Sequence, residues 1–334
     1  MKRLLIITAL LSLCLGLFAS EPVKNVIFII GDGMGLNQMC KLESPSNFER
    51  ANYIGLSKTY SASHKVTDSA AGGTALACGV KTNNGMLGMN ADSVAVNSVL
   101  TLLGEQGVST GIVASCRINH ATPASFYAHQ INRNMDAEIL EDLYANGPDV
   151  FVAGGNKLLS IEKLEKAGYK YVESIGDLQA QENGKVACVL AKEDMPNALE
   201  RGNEITIGTA EAIRLLEKNE KGFFLMIEGS QIDWAGHGNN ADYMEAEMKD
   251  INKVIGLCMD YADATPGTLV IITADHETGG TTIVGENKDY KYTTGDHTGA
   301  MVPVYSYGAG AENFTGIFEN TSFKDKILNL MQGK

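Results

Sequence analysis

Three nearly unbroken apolar runs constrain this 334-residue chain more than any other feature: Asn25–Ile30 (NVIFII), Phe223–Ile227 (FFLMI) and Thr268–Thr273 (TLVIIT). A half-exposed strand alternates apolar with polar residues, whereas a strand that does not alternate is covered on both faces. Helix-period segments lie between such runs, at Ser69–Gly79, Ser93–Glu105, Ile207–Lys218, Tyr243–Tyr261 and Lys324–Met331. Further strand-like stretches fall at Thr110–Ala114, Val150–Ala153 and Val302–Tyr307. Strands separated by helices pair in parallel, so the pattern predicts an α/β fold with a central, mostly parallel sheet flanked by helices. No repeat, low-complexity tract or Pro-rich linker interrupts it, and residues 21–334 read as one domain.

In an open sheet of this kind, ligands bind beyond the carboxyl ends of the strands. Each run ends in a group able to do chemistry: Asp32 after the first, Glu228 after the second, Asp275 and His276 after the third. Singly, each is an ordinary polar residue at a strand end; together they point to a site. Three of the six histidines stand in tight clusters with aspartate: Asp233 with His237, Asp275 with His276, and Asp296 with His297. A lone histidine is more often structural than a ligand. An Asp and a His four apart, however, share one helical face and can bind one ion. Imidazole and carboxylate without thiolate suit zinc in a catalytic site.

Ser69, in VTDSAAGGT, stands where a helix begins. As an N-cap its oxygen would accept a backbone N–H. As a nucleophile it would gain from the helix-start amides and dipole, which favour an anion. No His–Asp spacing serves it as a triad, so a metal is the better activator. Thr122 before Pro123 reads as a helix N-cap with proline at the first position. Arg133, three helical turns on, would share that helix's face, and its guanidinium fork matches two phosphate oxygens.

Lys and Arg number 27 against 40 Asp and Glu, a net charge of −13, which argues against a nucleic-acid partner. The same field repels a phosphate substrate unless the site carries its own cations, which override the global sign. At the N-terminus, Lys2 and Arg3 precede an apolar run from Leu4 to Phe18 and the small residues Ala19 and Ser20. Residues 1–20 read as a signal peptide, implying a periplasmic or secreted protein. The run is shorter than the ~20 residues that span a bilayer, and Leu13 is not the small residue expected before a lipidated Cys14, so no membrane partner is expected. Five cysteines remain, at 40, 78, 116, 188 and 258, odd in number and without a CxxC pair. Most are expected to be buried and free.

Six segments in order resemble the alkaline phosphatases: Asp-Gly-Met-Gly at 32–35, Thr-Asp-Ser-Ala at 67–70, His-Ala-Thr-Pro-Ala at 120–124, Glu-Gly-Ser-Gln-Ile-Asp at 228–233, Ala-Asp-His-Glu-Thr-Gly-Gly at 274–280 and His-Thr-Gly at 297–299. The likeness is to compact bacterial members. It implies hydrolysis of small-molecule phosphate monoesters through a phosphoserine on Ser69. It further implies one zinc ion on Asp233, His237 and His297, and a second on Asp32, Asp275, His276 and Ser69. A third ion, usually magnesium, would sit on Asp32, Thr122 and Glu228, and Arg133 would clamp the phosphoryl oxygens. His120 and Trp234 stand where the best-known bacterial pattern has Asp and Lys. A nitrogen from His120 would tilt the third site from magnesium toward zinc. The segment between His276 and His297 is too short for the large crown insertion of many members; a homodimer is expected from the family alone. Phosphodiesterases and sulfatases share the two-metal core, but Thr122, Glu228 and the pairing of serine with arginine favour monoesters.

Overall fold

Every residue of β1 (Asn25–Gly31) is buried, as its unbroken apolar run requires, because the strand lies inside a ten-stranded sheet. The protein is described by a computed structural model over residues 22–285 and 289–333; the leader expected at 1–20 lies outside the described residues. The other strands are β2 (Tyr53–Lys58), β3 (Ser109–Arg117), β4 (Val150–Gly154), β5 (Tyr169–Val172), β6 (Lys185–Ala191), β7 (Phe223–Gly229), β8 (Thr268–Thr273), β9 (Glu277–Thr278), β10 (Thr282–Val284), β11 (Asp289–Lys291), β12 (His297–Thr298), β13 (Val302–Gly308) and β14 (Gly316–Glu319). The order across the sheet is β14-β2-β13-β8-β1-β7-β3-β4-β6-β5. Only β13 runs antiparallel to its neighbours, β2 and β8. β9 with β12, and β10 with β11, form two small ribbons in place of a crown.

The alternation along β1 sorts the core into two layers. Val26, Phe28 and Ile30 face one side, Ile27 and Ile29 the other. The helices that carry the argument are α1 (Ser69–Cys78), α2 (Val99–Glu105), α3 (Ala121–Ala124), α4 (Asp136–Asn146), α5 (Glu204–Leu216), α6 (Gln231–His237), α7 (Ala241–Ala264) and α8 (Ser322–Met331). Leu76 of α1, Leu100 of α2, Ile139 of α4 and Phe323 of α8 pack on the first layer. Ile213 of α5 and Met244, Met248, Ile251 and Ile255 of α7 pack on the second. The spacing of those α7 residues is the helical period that presents one apolar face.

The helix expected from Ser93 begins only at Val99. Ser93 holds a left-handed φ of 62°, Met89 bridges to Ala95, and the Ser98 hydroxyl caps the helix by accepting from Thr101 N at 3.1 Å. The short strands β2, β5 and β14 carry little apolar sequence, whereas β6, KVACVLA, is a buried apolar run that the sequence pattern also displays. The five cysteines are free, with Cys78, Cys116, Cys188 and Cys258 buried and Cys40 exposed.

Phe28 lies at the junction of sheet and helices: its ring stacks on Phe323 with centroids 5.3 Å apart and meets Phe126 at 6.3 Å and Phe224 at 6.5 Å. Phe28→Ala is expected to lower stability by about 3–5 kcal/mol, from lost burial and the cavity left behind, measured as the shift in urea unfolding midpoint at constant slope.

Candidate active site

The three strands whose ends carry chemistry are neighbours, β8-β1-β7, with Ile30 of β1 opposite Thr273 of β8 and Glu228 of β7. This register brings Asp32, Glu228, Asp275 and His276 together at the carboxyl edge, all fully buried. Asp233 and His237 come from α6, which follows β7 directly, and lie 3.4 Å apart between Oδ2 and Nε2. His297 arrives on β12; its Nε2 is 3.4 Å from Asp233 Oδ1 and 3.1 Å from His237 Nε2. Gly33 makes this convergence fit. It holds φ +71°, and a Cβ there would come 2.7 Å from Thr278 Oγ1 and 2.8 Å from Asp233 Cα.

Ser69 is the first residue of α1, and Asp68 rather than Ser69 is the cap: its Oδ1 accepts from Ala71 N at 3.0 Å. The Ser69 hydroxyl is thereby left free, 3.2 Å from His276 Nε2. Gly72 lets α1 press against the Asp275 turn, where a Cβ would meet the Asp275 carbonyl at 3.0 Å.

Asp68 does a second job. Its Oδ2 accepts from Gly85 N at 3.0 Å and from Arg133 Nη1 at 3.3 Å. Arg133 is not on the helix of Thr122, as the eleven-residue spacing suggested. That helix, α3, ends at Ala124, because Gln130 is drawn into a backbone bridge with Leu87 and Arg133 N donates to Gly85 O at 2.7 Å. The arginine therefore reaches the site from a loop. The N-cap of α3 is His120; Thr122 lies inside the turn and its hydroxyl donates to Asp32 Oδ2 at 3.3 Å. Trp234 is half-buried, edge-on to the His120 ring at 6.0 Å.

Charge in the site is unbalanced. Burial and mutual repulsion with Asp275, Asp233 and Glu228 hold Asp32 well above the usual carboxylate range. Burial pushes Glu228 up to about 7, and burial with the Asp233 charge pushes Asp275 up to about 7. Asp233 differs: burial would raise it, but the His297 hydrogen bond and the neighbouring imidazoles hold it well below the ordinary value. Burial drives His276 well below its usual range, and burial with Arg133 and Arg117 brings His120 down to about 3. Asp32 Oδ1, Asp275 Oδ2, Glu228 Oε1 and His120 Nδ1 are enclosed without a hydrogen-bond partner.

The imidazoles give the sharpest test of whether cations fit. His237 Nδ1 lies 2.7 Å from Gly295 O, and His297 Nδ1 lies 2.9 Å from Thr67 O. A carbonyl only accepts, so both Nδ1 atoms carry hydrogen and the two Nε2 atoms are left facing each other as the ligating positions. Two such nitrogens 3.1 Å apart, beside the Asp233 carboxylate, need a positive charge between them. Nitrogen and carboxylate oxygen at this spacing suit a divalent ion, and the backbone bonds at Nδ1 are the outer contacts that orient ligating histidines. Three groups have ligand atoms within 4.8 Å of one another: Asp233 with His276 and His297, Asp32 with Asp275 and His276, and Cys116 with His120 and Glu228; His237 adjoins the first through Asp233 and His297.

Two contributors were missed in the sequence. Asp68 was legible as a helix cap, since aspartate outranks most residues there. Cys116 was legible from the strand-end rule that picked out its neighbours. It sits near the end of β3, beside β7, and its thiol donates to Glu228 Oε2 at 3.2 Å. Burial and the Glu228 charge hold that thiol well above its ordinary range.

Buried carboxylates and imidazoles converging at the strand ends of an α/β sheet define a protein with a candidate metal centre at its sheet edge. The chain belongs to the alkaline phosphatase family, whose model matches residues 23–148 and 151–291. Alkaline phosphatase 4 of Bacillus subtilis is 32% identical, over 93% of this chain and 89% of the relative. The alkaline phosphatase of the Antarctic bacterium TAB5 superposes with a TM-score of 0.90 at 37% identity, covering 94% of this chain and 99% of that one. A His-to-Glu variant of that enzyme was solved with magnesium bound in its M3 site. The family makes this chain a phosphomonoesterase that works with zinc and magnesium.

The raised carboxyls set a pH dependence for the metal-free protein. Unfolded, such groups titrate near ~4; folded, Glu228 and Asp275 titrate at about 7. Between those values the native state holds more protons at the carboxyls than the unfolded chain does; His120 and His276, depressed in the fold, act the opposite way below 6.5, but three raised carboxyls outweigh two imidazoles, so stability falls as pH rises through the window. Chelated protein is expected to melt at a higher temperature near pH ~5 than near pH ~8, and added zinc and magnesium to raise the melting temperature more at the higher pH. Thermal melts across pH check both; a chelated melting temperature that climbs across the window would contradict the account.

Proposed function

We propose that the chain releases inorganic phosphate from small-molecule monoesters through a phosphoserine on Ser69. The observation that carries this reading is the Ser69 hydroxyl at the start of α1, 3.2 Å from His276 Nε2 and among buried carboxylates in need of cations. In this reading Asp233, His237 and His297 hold one zinc ion, and Asp32, Asp275 and His276, with Ser69, a second. Asp32, Thr122 and Glu228 hold a third ion, beside His120; their oxygens alone suit magnesium. The two zinc ions, when bound, supply charge that favours the serine alkoxide and steadies the oxygens entering and leaving phosphorus.

The chain's own groups do the rest. Ser69 Oγ attacks phosphorus in line with the ester oxygen, the P–O bond to the alcohol breaks, and the alcohol leaves with a proton. Water then cleaves the phosphoserine, returning Ser69 and free phosphate. Arg133, anchored by Asp68 through Nη1 and with Nη2 3.5 Å from His120 Nε2, offers the N–H groups these contacts leave to the phosphoryl oxygens. Positioning and charge neutralisation of this kind supply most of phosphoryl-transfer catalysis. Trp234 brings one indole N–H and no charge, so product phosphate is held less tightly than a lysine would hold it.

The reading extends to the chain as a whole: residues 21–334 act as one catalytic domain, exported behind the leader at 1–20 to the periplasm or beyond, as a homodimer. Lys2 and Arg3 ahead of the apolar Leu4–Phe18 support export. Among the described residues no helix is long and apolar enough to cross a membrane.

The test is hydrolysis of p-nitrophenyl phosphate beside bis-p-nitrophenyl phosphate, at alkaline pH, by native, Ser69→Ala and chelated protein. Monoester turnover should exceed diester turnover, fall by roughly 10³-fold or more in Ser69→Ala, and return to chelated protein only with added zinc and magnesium. A preference for the diester overturns the proposal. Trp234→Lys should tighten inhibition by inorganic phosphate, read as a lower inhibition constant; an unchanged constant refutes the role given to Trp234.

A further inference from the structure

We propose that Cys116 is itself a ligand of the third ion, which makes that site a sulfur–nitrogen–oxygen site selective for zinc over magnesium. The inference rests on the assignment of Glu228 to the third ion and changes what that ion is. A sulfur of Cys116, a nitrogen of His120 and an oxygen of Glu228 lie within 4.8 Å of one another. In a tetrahedral zinc site with the usual bond lengths, ligand atoms stand about 3.5 Å apart, so small side-chain rotations close this group around one ion. The sulfur already lies 3.2 Å from Glu228 Oε2. Glu228 and Cys116 are completely buried and Glu228 Oε1 has no partner; His120 Nδ1 has none either, and because Arg133 Nη2 stands 3.5 Å from His120 Nε2, a metal at Nδ1 takes the tautomer that gives up this arginine contact. A fully enclosed carboxylate with one oxygen on a thiol and the other on nothing is costly unless an ion completes it.

The chemistry of the donors sets the preference. Magnesium asks for six oxygens in a near-octahedral shell, which Asp32, Thr122 and Glu228 with water could supply. Thiolate and imidazole select a softer ion, and zinc takes four ligands of mixed type. Binding exchanges the thiol proton for the ion: the S–H bond breaks, a sulfur–metal bond forms with the sulfur's electron pair, and one proton passes to solvent. The competing account makes Cys116 only a hydrogen-bond donor to Glu228, a task serine performs as well.

The deciding experiment reloads chelated protein with cobalt(II) one equivalent at a time, followed by absorption spectroscopy and metal analysis, in native protein, Cys116→Ser, Cys116→Ala and Glu228→Gln. A near-ultraviolet sulfur-to-cobalt charge-transfer band is expected with the third equivalent of native protein. It should be absent from both Cys116 variants, while the visible bands of the first two equivalents persist in them. Competition with zinc should show third-site affinity weakened on the order of tenfold or more in Cys116→Ser, since even an outer contact is worth that much, with magnesium affinity unchanged or improved. A third cobalt ion bound without the sulfur band overturns the proposal and leaves the three-ion reading standing. Native protein that saturates at two equivalents overturns both, and the stoichiometry tells the cases apart.

Discussion

The structure depends on one electrostatic constraint: four carboxylates, Asp32, Glu228, Asp233 and Asp275, buried at the carboxyl edge of three adjacent parallel strands. No apolar core tolerates that much negative charge unaided. Three of the groups respond by holding their protons more tightly, and only Asp233, facing the histidines, stays strongly acidic. The arrangement is intelligible as a shell of ligands for cations. A globally acidic protein can then attract a phosphate, because the local charge of bound divalent ions exceeds the distant surface field.

Around that shell the fold spends its rigidity on orientation. Asp68 ties the start of α1 to the loop carrying Arg133, so one carboxylate sets both the serine and the arginine. His237 and His297 are each turned by a backbone carbonyl, which leaves Nε2 as the ligating position. Thr278 bridges Asp233 and His276 through its hydroxyl. Such outer contacts decide geometry to fractions of an ångström without touching a substrate.

The third cluster departs from its surroundings in donor type. The other two groups offer nitrogen and oxygen only, whereas this one has a sulfur within hydrogen-bond distance of its carboxylate. A single buried side chain at the end of β3 can therefore alter which metal the centre selects while leaving the sheet and the remaining ligands as they are.

Much of this was legible in the chain itself. Continuous apolar runs have one stable place, inside a covered parallel sheet, so NVIFII, FFLMI and TLVIIT announced both the fold and the edge where Asp32, Glu228, Asp275 and His276 would end. The four-residue step from Asp233 to His237 survived unchanged because a helix fixes that spacing locally. What lay beyond the sequence depended on contacts between distant segments. The order β8-β1-β7 makes three remote strand ends one site. The pairing of Gln130 with Leu87 cuts α3 short and delivers Arg133 from a loop. Asp68 takes the cap that leaves Ser69 free, and Cys116 meets Glu228 only because β3 lies beside β7. Periodicity and capping are local energies that a sequence displays, whereas the choice of neighbour is made by the packing of the whole chain.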